Sequence, residues 1–340
     1  MKRITLISTG GTIASRWQGT GYAADAGGDT VLASAAVPDG VAVKVVDLFN
    51  INSSQMTTER QLTLLRAVRE ELADPDVDGI VVTHGTDTLE ESAFLVDLYH
   101  DDPRPVVFTG AQKPLGATDG DGPGNMYDAL QVASSVKDLG VLVAFDGKVH
   151  AARGTVKTQT LAANAFGDPS RPEALGRLGF GRVDVRRTPE RPAPLAAPAP
   201  DGRIPRVDIV MHHSDADPAL FDAAIEAGAR GIVLVATGAG NATPAFAAAV
   251  ADAVRRGVLV AVSTRVPAGP LAEIYTGGGA VDLVAAGAVL TGTLRAGQAR
   301  IAVLATVLAG AGADLLRTLV AAPAPVTESA GTTDEQAAAA

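Results

Sequence analysis

The chain has 340 residues, 47% of them hydrophobic but only 4% aromatic, so its core is built from small and branched side chains, and the length suggests two domains. A formal net charge of −10 with no basic block argues against a nucleic-acid partner. The absence of Cys excludes disulfides, thiol catalysis and thiolate metal sites.

The first residues, "MKRITLISTGG", hold no apolar stretch long enough for a secretion signal. No window reaches the ~18 apolar residues of a membrane span. The protein therefore reads as soluble and cytoplasmic, with no membrane partner. "RITLIS" predicts a strand that runs into "TGGT" (residues 9–12). The following "TIASRWQGTGYAADAGG" has no helical apolar face and reads as a mobile, glycine-rich loop carrying Tyr22. "VAVKVVDLF" predicts a second strand ending at "NINSSQ" (50–55). A helix over "TERQLTLLRAVREELAD" stops at Pro75. "GIVVTH" leads into "THGTDT" (83–88), and "TLEESAFLVDLYH" is helical up to Pro103. "PVVFTG" ends at "TGAQ" (109–112), and "GVLVAF" is a further strand.

The proline-rich stretch over 186–206 has no periodic apolar face and predicts a linker between an N-terminal domain (1–185) and a C-terminal one (207–320). In the latter, "RVDIVMH", "GIVLVA", "GVLVAV" and "AVLTG" predict strands. The helices between them start at Asp217 and at Thr243-Pro244, where Thr243 is the N-cap and Pro244 the first helical residue. A last helix runs through Ala309, and residues 321–340 predict a disordered, Ala-rich tail. Short apolar strands alternating with helices give the fold class α/β. The larger N-terminal domain is expected to be a doubly wound, mostly parallel sheet, and the smaller C-terminal domain parallel α/β.

Ligands of parallel sheets lie beyond the carboxyl ends of the strands, where "TGGT", "NINSSQ", "THGTDT" and "TGAQ" all fall. Gly10-Gly11 opens no helix with an apolar face, as a dinucleotide loop would, and "TGGT" lacks the lysine of a phosphate loop, so no cofactor is predicted. Taken alone it is either a tight turn whose hydroxyls cap the backbone or a nucleophile under a lid. Thr88 and Glu91 have the spacing of a capping box. That explains neither Thr86 nor Asp87. Asp87, at a helix N-terminus, is suited to bind an ammonium group. His84 reads as a packed strand-end residue. Lys157, in "ARGTVKTQT", is a surface residue unless it meets Thr86 and Asp87, in which case it can relay protons. No His pair has the helical spacing of a zinc site, and adjacent His212 and His213 face apart on a strand, so no metal is predicted.

"STGGTIAS" together with "VVTHGTDTLEES" resembles the two signature segments of the bacterial-type L-asparaginases, in order and at the right separation. The resemblance continues through "NINSSQMT", "PVVFTGAQKP", "ARGTVKTQT", "GIVLVATGAGN" and "STRVPAGP". It implies hydrolysis of the side-chain amide of L-asparagine to L-aspartate and ammonia, in a homotetramer or dimer whose sites a neighbouring subunit completes. By motif, Thr12 matches the nucleophile and Tyr22 the tyrosine that assists it. Thr86, Asp87 and Lys157 match a second cluster beside the scissile amide, and Ser53 matches the serine on the substrate α-carboxylate. Backbone N–H groups of Gly11, Thr12 and Thr86 are candidate oxyanion donors. Asn241 matches an asparagine that reaches across the subunit interface. Ser54 stands where the family has a long Gln or Glu, and Ala280, with Asp282 and Glu273 nearby, where a neighbouring subunit's Glu is expected. A glutaminase-asparaginase, the amidase subunit of a tRNA-dependent amidotransferase and a non-catalytic amino-acid sensor are the alternatives.

Overall fold

The computed structural model describes residues 1–189, 191–199 and 202–321. In chain order, β1 (Lys2–Gly10) leads into a one-turn 3-10 helix, Thr12–Ala14, and a hairpin of β2 (Ser15–Trp17) and β3 (Tyr22–Ala24). Then come α1 (Gly28–Ala33), β4 (Val41–Ile51), a 3-10 turn at Ser53–Gln55, α2 (Thr58–Leu72), β5 (Gly79–Thr83) and α3 (Leu89–Tyr99). β6 (Val106–Thr109), α4 (Gly122–Ser135), β7 (Val141–Phe145), β8 (Lys148–Ala151), β9 (Val156–Lys157) and β10 (Phe166–Gly167) follow, with β11 (Gly176–Gly179) and β12 (Arg182–Val185). The second unit has β13 (Arg206–Met211), α5 (Ala219–Glu226), β14 (Ala229–Ala236), α6 (Pro244–Arg255), β15 (Leu259–Thr264), α7 (Ala280–Ala285), β16 (Val289–Leu290), α8 (Ala296–Leu308) and α9 (Ala313–Val320).

The first sheet has the order β12-β11-β8-β7-β6-β5-β1-β4. β4, β1, β5, β6 and β7 are mutually parallel, and β8, β11 and β12 extend the sheet antiparallel. Every residue of β5 is buried, as expected of a strand covered on both faces. Ile7, Ile80 and Val82 face α2 and α3, while Leu6, Val81 and Val107 face α4. The second sheet, β13-β14-β15-β16, is parallel throughout. Its far face packs on α5, α6 and α7 through Ile232, Leu234, Val260 and Val262. Its near face contributes Val233, Val235 and Ala261 to the core that contains α2, α3, α8 and α9. One hydrophobic core thus runs between the two sheets. The two-unit α/β architecture expected from the sequence is the observed one.

Local detail follows residue chemistry. The α6 start is as expected, with Pro244 in the first turn and Thr243 Oγ1 accepting from the Phe246 N–H at 3.5 Å. α5 begins two residues after the expected Asp217, whose carboxylate accepts from the Ala219 N–H. The capping box does not form, because Thr88 Oγ1 donates to the Ser53 carbonyl at 2.8 Å instead of capping α3. α1 and α9 were not expected. α9 buries Leu316, Leu319 and Val320 against the shared core. Between Val185 and β13 no described residue is helical or stranded. Arg191 fixes this stretch to α3, pairing with Asp97 Oδ1 at 2.7 Å, and Leu195 donates its N–H to the Leu98 carbonyl. The predicted tail lies, from residue 322, outside the described residues. No helix among the described residues is long and apolar enough to cross a membrane.

Candidate active site

β4, β1, β5 and β6 are neighbours, and the polar clusters predicted at strand ends stand side by side at their carboxyl ends. The turns touch because their glycines allow it. Gly10 and Gly11 have φ of 94° and 83°, in the region that disfavours side chains. A Cβ on Gly11 would stand 2.4 Å from Gly85 Cα, and one on Gly85 would stand 2.6 Å from Ser53 Oγ. Gly85 therefore brings Gly11, Ser53 and the residues that follow each glycine, Thr12 and Thr86, to one place. The Gly11–Thr12 turn is held by Ser15 Oγ, which donates to the Gly11 carbonyl at 2.9 Å. Thr12 is half-buried and opens the 3-10 turn. Ser53 is buried, and its Oγ accepts the Asp87 N–H at 3.2 Å.

Lys157 arrives from β9. Its ammonium donates to Thr86 Oγ1 at 2.8 Å and to Asp87 Oδ1 at 2.7 Å. The lysine side chain is 18% exposed and that of Asp87 is 63% exposed, so the carboxylate faces outward over a buried Thr86. The geometry joins a hydroxyl, an amine and an open carboxylate at one strand end. It can bind a cationic group and move a proton along Thr86 and Lys157. Gly11 differs from expectation as an oxyanion donor. Its N–H is donated to the Ile51 carbonyl at 2.9 Å, which leaves those of Thr12 and Thr86 as candidates.

His84 is fully buried behind the site, and its Nδ1 faces the Gly85 carbonyl at 2.8 Å. Burial pulls its pKa down to about 4, so the ring is neutral near neutral pH and packed, as the sequence suggests. Glu90, in the first turn of α3, accepts the Lys157 N–H on Oε2 at 2.5 Å. Burial pushes its carboxyl up to about 7. Sequence reasoning passed over Glu90 because Glu90 and Glu91 read as ordinary acids in the first turn of a helix. Gln112 of "TGAQ" was also unassigned; its Nε2 donates to the carbonyls of Thr160 and Ala162, both at 3.1 Å, and so supports the chain just beyond Lys157.

The family model described as "Asparaginase, N-terminal" matches residues 3–191, and that described as "Glutaminase/Asparaginase C-terminal domain" matches 206–322. The chain belongs to the asparaginase family. Among its curated relatives, a probable L-asparaginase of Deinococcus radiodurans is 36% identical over 93% of this chain and 96% of its own length. L-asparaginase 2 of Bacillus subtilis is 34% identical over 78% and 73%. The crystal structure of a probable cytoplasmic L-asparaginase from Campylobacter jejuni superposes with a TM-score of 0.82 at 32% identity, covering 90% of this chain and 95% of that one.

Within this asparaginase-family chain, other motif-matched residues lie apart from the cluster. Ser54 is exposed. Asn241 follows β14 in the second unit, and its buried Oδ1 has no hydrogen-bond partner among the described residues. Ala280 is wholly buried at the start of α7, and Asp282 accepts the Gly278 N–H at 2.6 Å, while Glu273 is exposed. Tyr22 stands on the hairpin opposite Trp17, their ring centroids 5.2 Å apart in an edge-to-face pair. The segment expected to be a mobile, glycine-rich loop contains a paired hairpin with Gly19 and Gly21 at its tip. Both rings are more than half exposed, so little burial holds the hairpin. Bound aspartate is expected to slow amide exchange over residues 16–28. It should also shift the emission of Trp17, the only tryptophan in the chain. Unchanged exchange and emission at saturating aspartate would rule out a closing lid.

Proposed function

We propose that this chain hydrolyses the side-chain amide of L-asparagine to L-aspartate and ammonia, with Thr12 as nucleophile and an acyl-enzyme intermediate. The observation that carries the reading is the Lys157 ammonium, within 2.8 Å of Thr86 Oγ1 and 2.7 Å of Asp87 Oδ1, beside the turn that presents Thr12. Thr12 Oγ attacks the amide carbon, and the N–H groups of Thr12 and Thr86 receive the oxyanion. Ser53 and Asp87 take the substrate α-carboxylate and α-ammonium. A lysine paired with a carboxylate is an ammonium and cannot accept a proton. A substrate ammonium on Asp87 displaces the Lys157 ammonium from that carboxylate, and the lysine gives one proton to solvent. The neutral Lys157 amine then receives the Thr12 Oγ proton through Thr86, with Tyr22 assisting, and passes it to the amide nitrogen as the C–N bond breaks and ammonia leaves. Water cleaves the acyl-enzyme by the same route.

Ammonia release from asparagine by the purified chain tests the reading; release of none supports a sensor instead. Glutaminase-asparaginase activity is the second reading, favoured by the description of the C-terminal family model. Glutamine is one methylene longer, and with its α-groups on Ser53 and Asp87 its amide overshoots Thr12. Such a methylene is worth ~1–3 kcal/mol, or ~10–200-fold. Ser54 is too short to grip the α-amino group, which leaves less binding energy to offset the misplacement. We expect asparagine to be preferred at least about tenfold in kcat/KM, with a KM that is not especially low. Comparable kcat/KM for the two amides on one preparation would decide for the second reading.

We further propose a cytoplasmic homo-oligomer, a tetramer or dimer, in which Asn241 reaches a neighbour's site. The place of Asn241 in the family-matching segment "GIVLVATGAGN" supports this. Relatives are named for either location, including a probable periplasmic L-asparaginase of Haemophilus influenzae. Light scattering of the purified chain measures the assembly, and a monomer with full activity would refute it.

A further inference from the structure

Lys157 stands on a strand of two residues, β9, paired only with the equally short β10. Such pairing is too little to fix a side chain that must meet both Thr86 and Asp87. The fixing contacts come from elsewhere. The Lys157 N–H goes to Glu90 Oε2 at 2.5 Å, on the α3 turn that follows Thr86 and Asp87. The loop leading into Lys157 is held by Gln298, a fully buried side chain of α8 in the second unit. Gln298 Oε1 accepts the Gly154 N–H at 2.8 Å. Its Nε2 donates to the carbonyls of Ala152 at 2.8 Å and Thr155 at 3.0 Å, with that of Glu90 at 3.4 Å. The amide's two N–H groups and its oxygen are thereby all used on the Lys157 loop and on α3. Neighbouring Gly297 packs tightly there: a Cβ on it would stand 3.2 Å from Glu91 Cγ and 3.3 Å from Glu90 Oε1.

We propose that Glu90 and Gln298 are positioning residues for Lys157, so that helix α8 of the second unit sets the placement of the catalytic lysine of the first. This rests on the reading of Lys157 as a catalytic group. Neither residue contacts the hydroxyl of Thr12 or Thr86, so Glu90 acts through the Lys157 N–H and Gln298 through the loop that leads into it. A displacement of about 1 Å at such a group costs up to about 10²-fold in rate. Glu90 is a hydrogen-bond acceptor whether ionised or protonated, which matters because burial raises its carboxyl to about 7. A glutamine therefore offers the same acceptor oxygen, and methionine offers none.

The test is a set of double-mutant cycles on the full chain, reading kcat, KM and melting temperature. Glu90→Met and Gln298→Met are expected to lower kcat about 10- to 100-fold with KM within about threefold, and Glu90→Gln to recover most of that loss. In a Lys157→Met background the same substitutions are expected to cost nothing further in kcat. Full additivity in that background, or a lowered melting temperature with unchanged kcat, would overturn the proposal. If Gln298→Met does not fold, the cycle with Glu90→Met and Glu90→Gln decides. If Lys157→Met alone loses less than about tenfold in kcat, the catalytic reading of Lys157 fails, and this proposal with it. Ammonia release by the wild-type chain remains a separate result.

Discussion

Thr12→Ala is expected to lower kcat for asparagine by on the order of 10⁴-fold or more, while the protein stays folded. The size of the effect follows from the chemistry. Amide hydrolysis through an acyl-enzyme needs an attacking atom, and alanine supplies none. The chain contains no Cys to serve in its place, and His84 is shut behind the site. The fold should be indifferent to the change. Thr12 is half-buried, and its turn is held by the Ala14 N–H to the Gly11 carbonyl at 3.0 Å and by Ser15 Oγ to the same carbonyl. None of those bonds uses the Thr12 side chain, so the melting temperature should move by no more than a few degrees, as for roughly ±0.5 kcal/mol. Thr12→Ser keeps a hydroxyl and separates loss of the nucleophile from loss of the methyl group. If Thr12→Ala keeps more than a few percent of wild-type kcat, Thr12 is not the nucleophile.

Much of the site was legible because a parallel sheet collects its polar loops at one end. β1, β4, β5 and β6 carry β-branched apolar runs that lead into polar clusters, and sequence alone puts those clusters on one rim. What sequence did not supply is how the rim is knit together. The spacing of Thr88 and Glu91 is that of a capping box, but a local pattern cannot see the Ser53 carbonyl arriving from the end of β4, and Thr88 takes that partner. Glu91 turns instead toward Arg300 of α8, at 3.7 Å. The Gly11 N–H was likewise assigned to substrate, although β4 already receives it through Ile51.

Other misses have the same physical origin. The stretch over 12–28 lacks an apolar face, yet backbone pairing and the Trp17–Tyr22 contact make it a hairpin. α9 follows α8 after only the Ala-Gly-Ala-Gly break over 309–312 and is defined by the core its leucines enter. The two units look separable along the chain, since a proline-rich stretch divides them. In space they share one core, and Gln298 and Arg153 cross between them, the latter donating to the Leu319 carbonyl at 2.7 Å. Contacts between residues more than a hundred positions apart leave no periodic signal.

Lys157→Met is expected to lower kcat by about 10²- to 10⁴-fold without raising KM, the range for loss of a positioned acid–base group. The split between the two constants follows from the surroundings of Asp87. Its carboxylate is 63% exposed and paired with Lys157, so removing the lysine leaves it solvated rather than buried and unpaired. Stability should therefore change little on the Asp87 side, where the carboxylate stays solvated. An unpaired Asp87 no longer shares its charge with the lysine, so a substrate ammonium is held at least as tightly. A KM that rises while kcat holds would mean that Lys157 binds substrate and does no chemistry. Lys157→Arg sharpens the test. Arginine keeps the positive charge and can donate to both Thr86 Oγ1 and Asp87 Oδ1, but a guanidinium does not give up its proton in a protein. If Lys157 works as a proton acceptor, Lys157→Arg should be nearly as slow as Lys157→Met. If it works only as a fixed charge beside the oxyanion, Lys157→Arg should recover most of the activity, and the proton route through Thr86 falls.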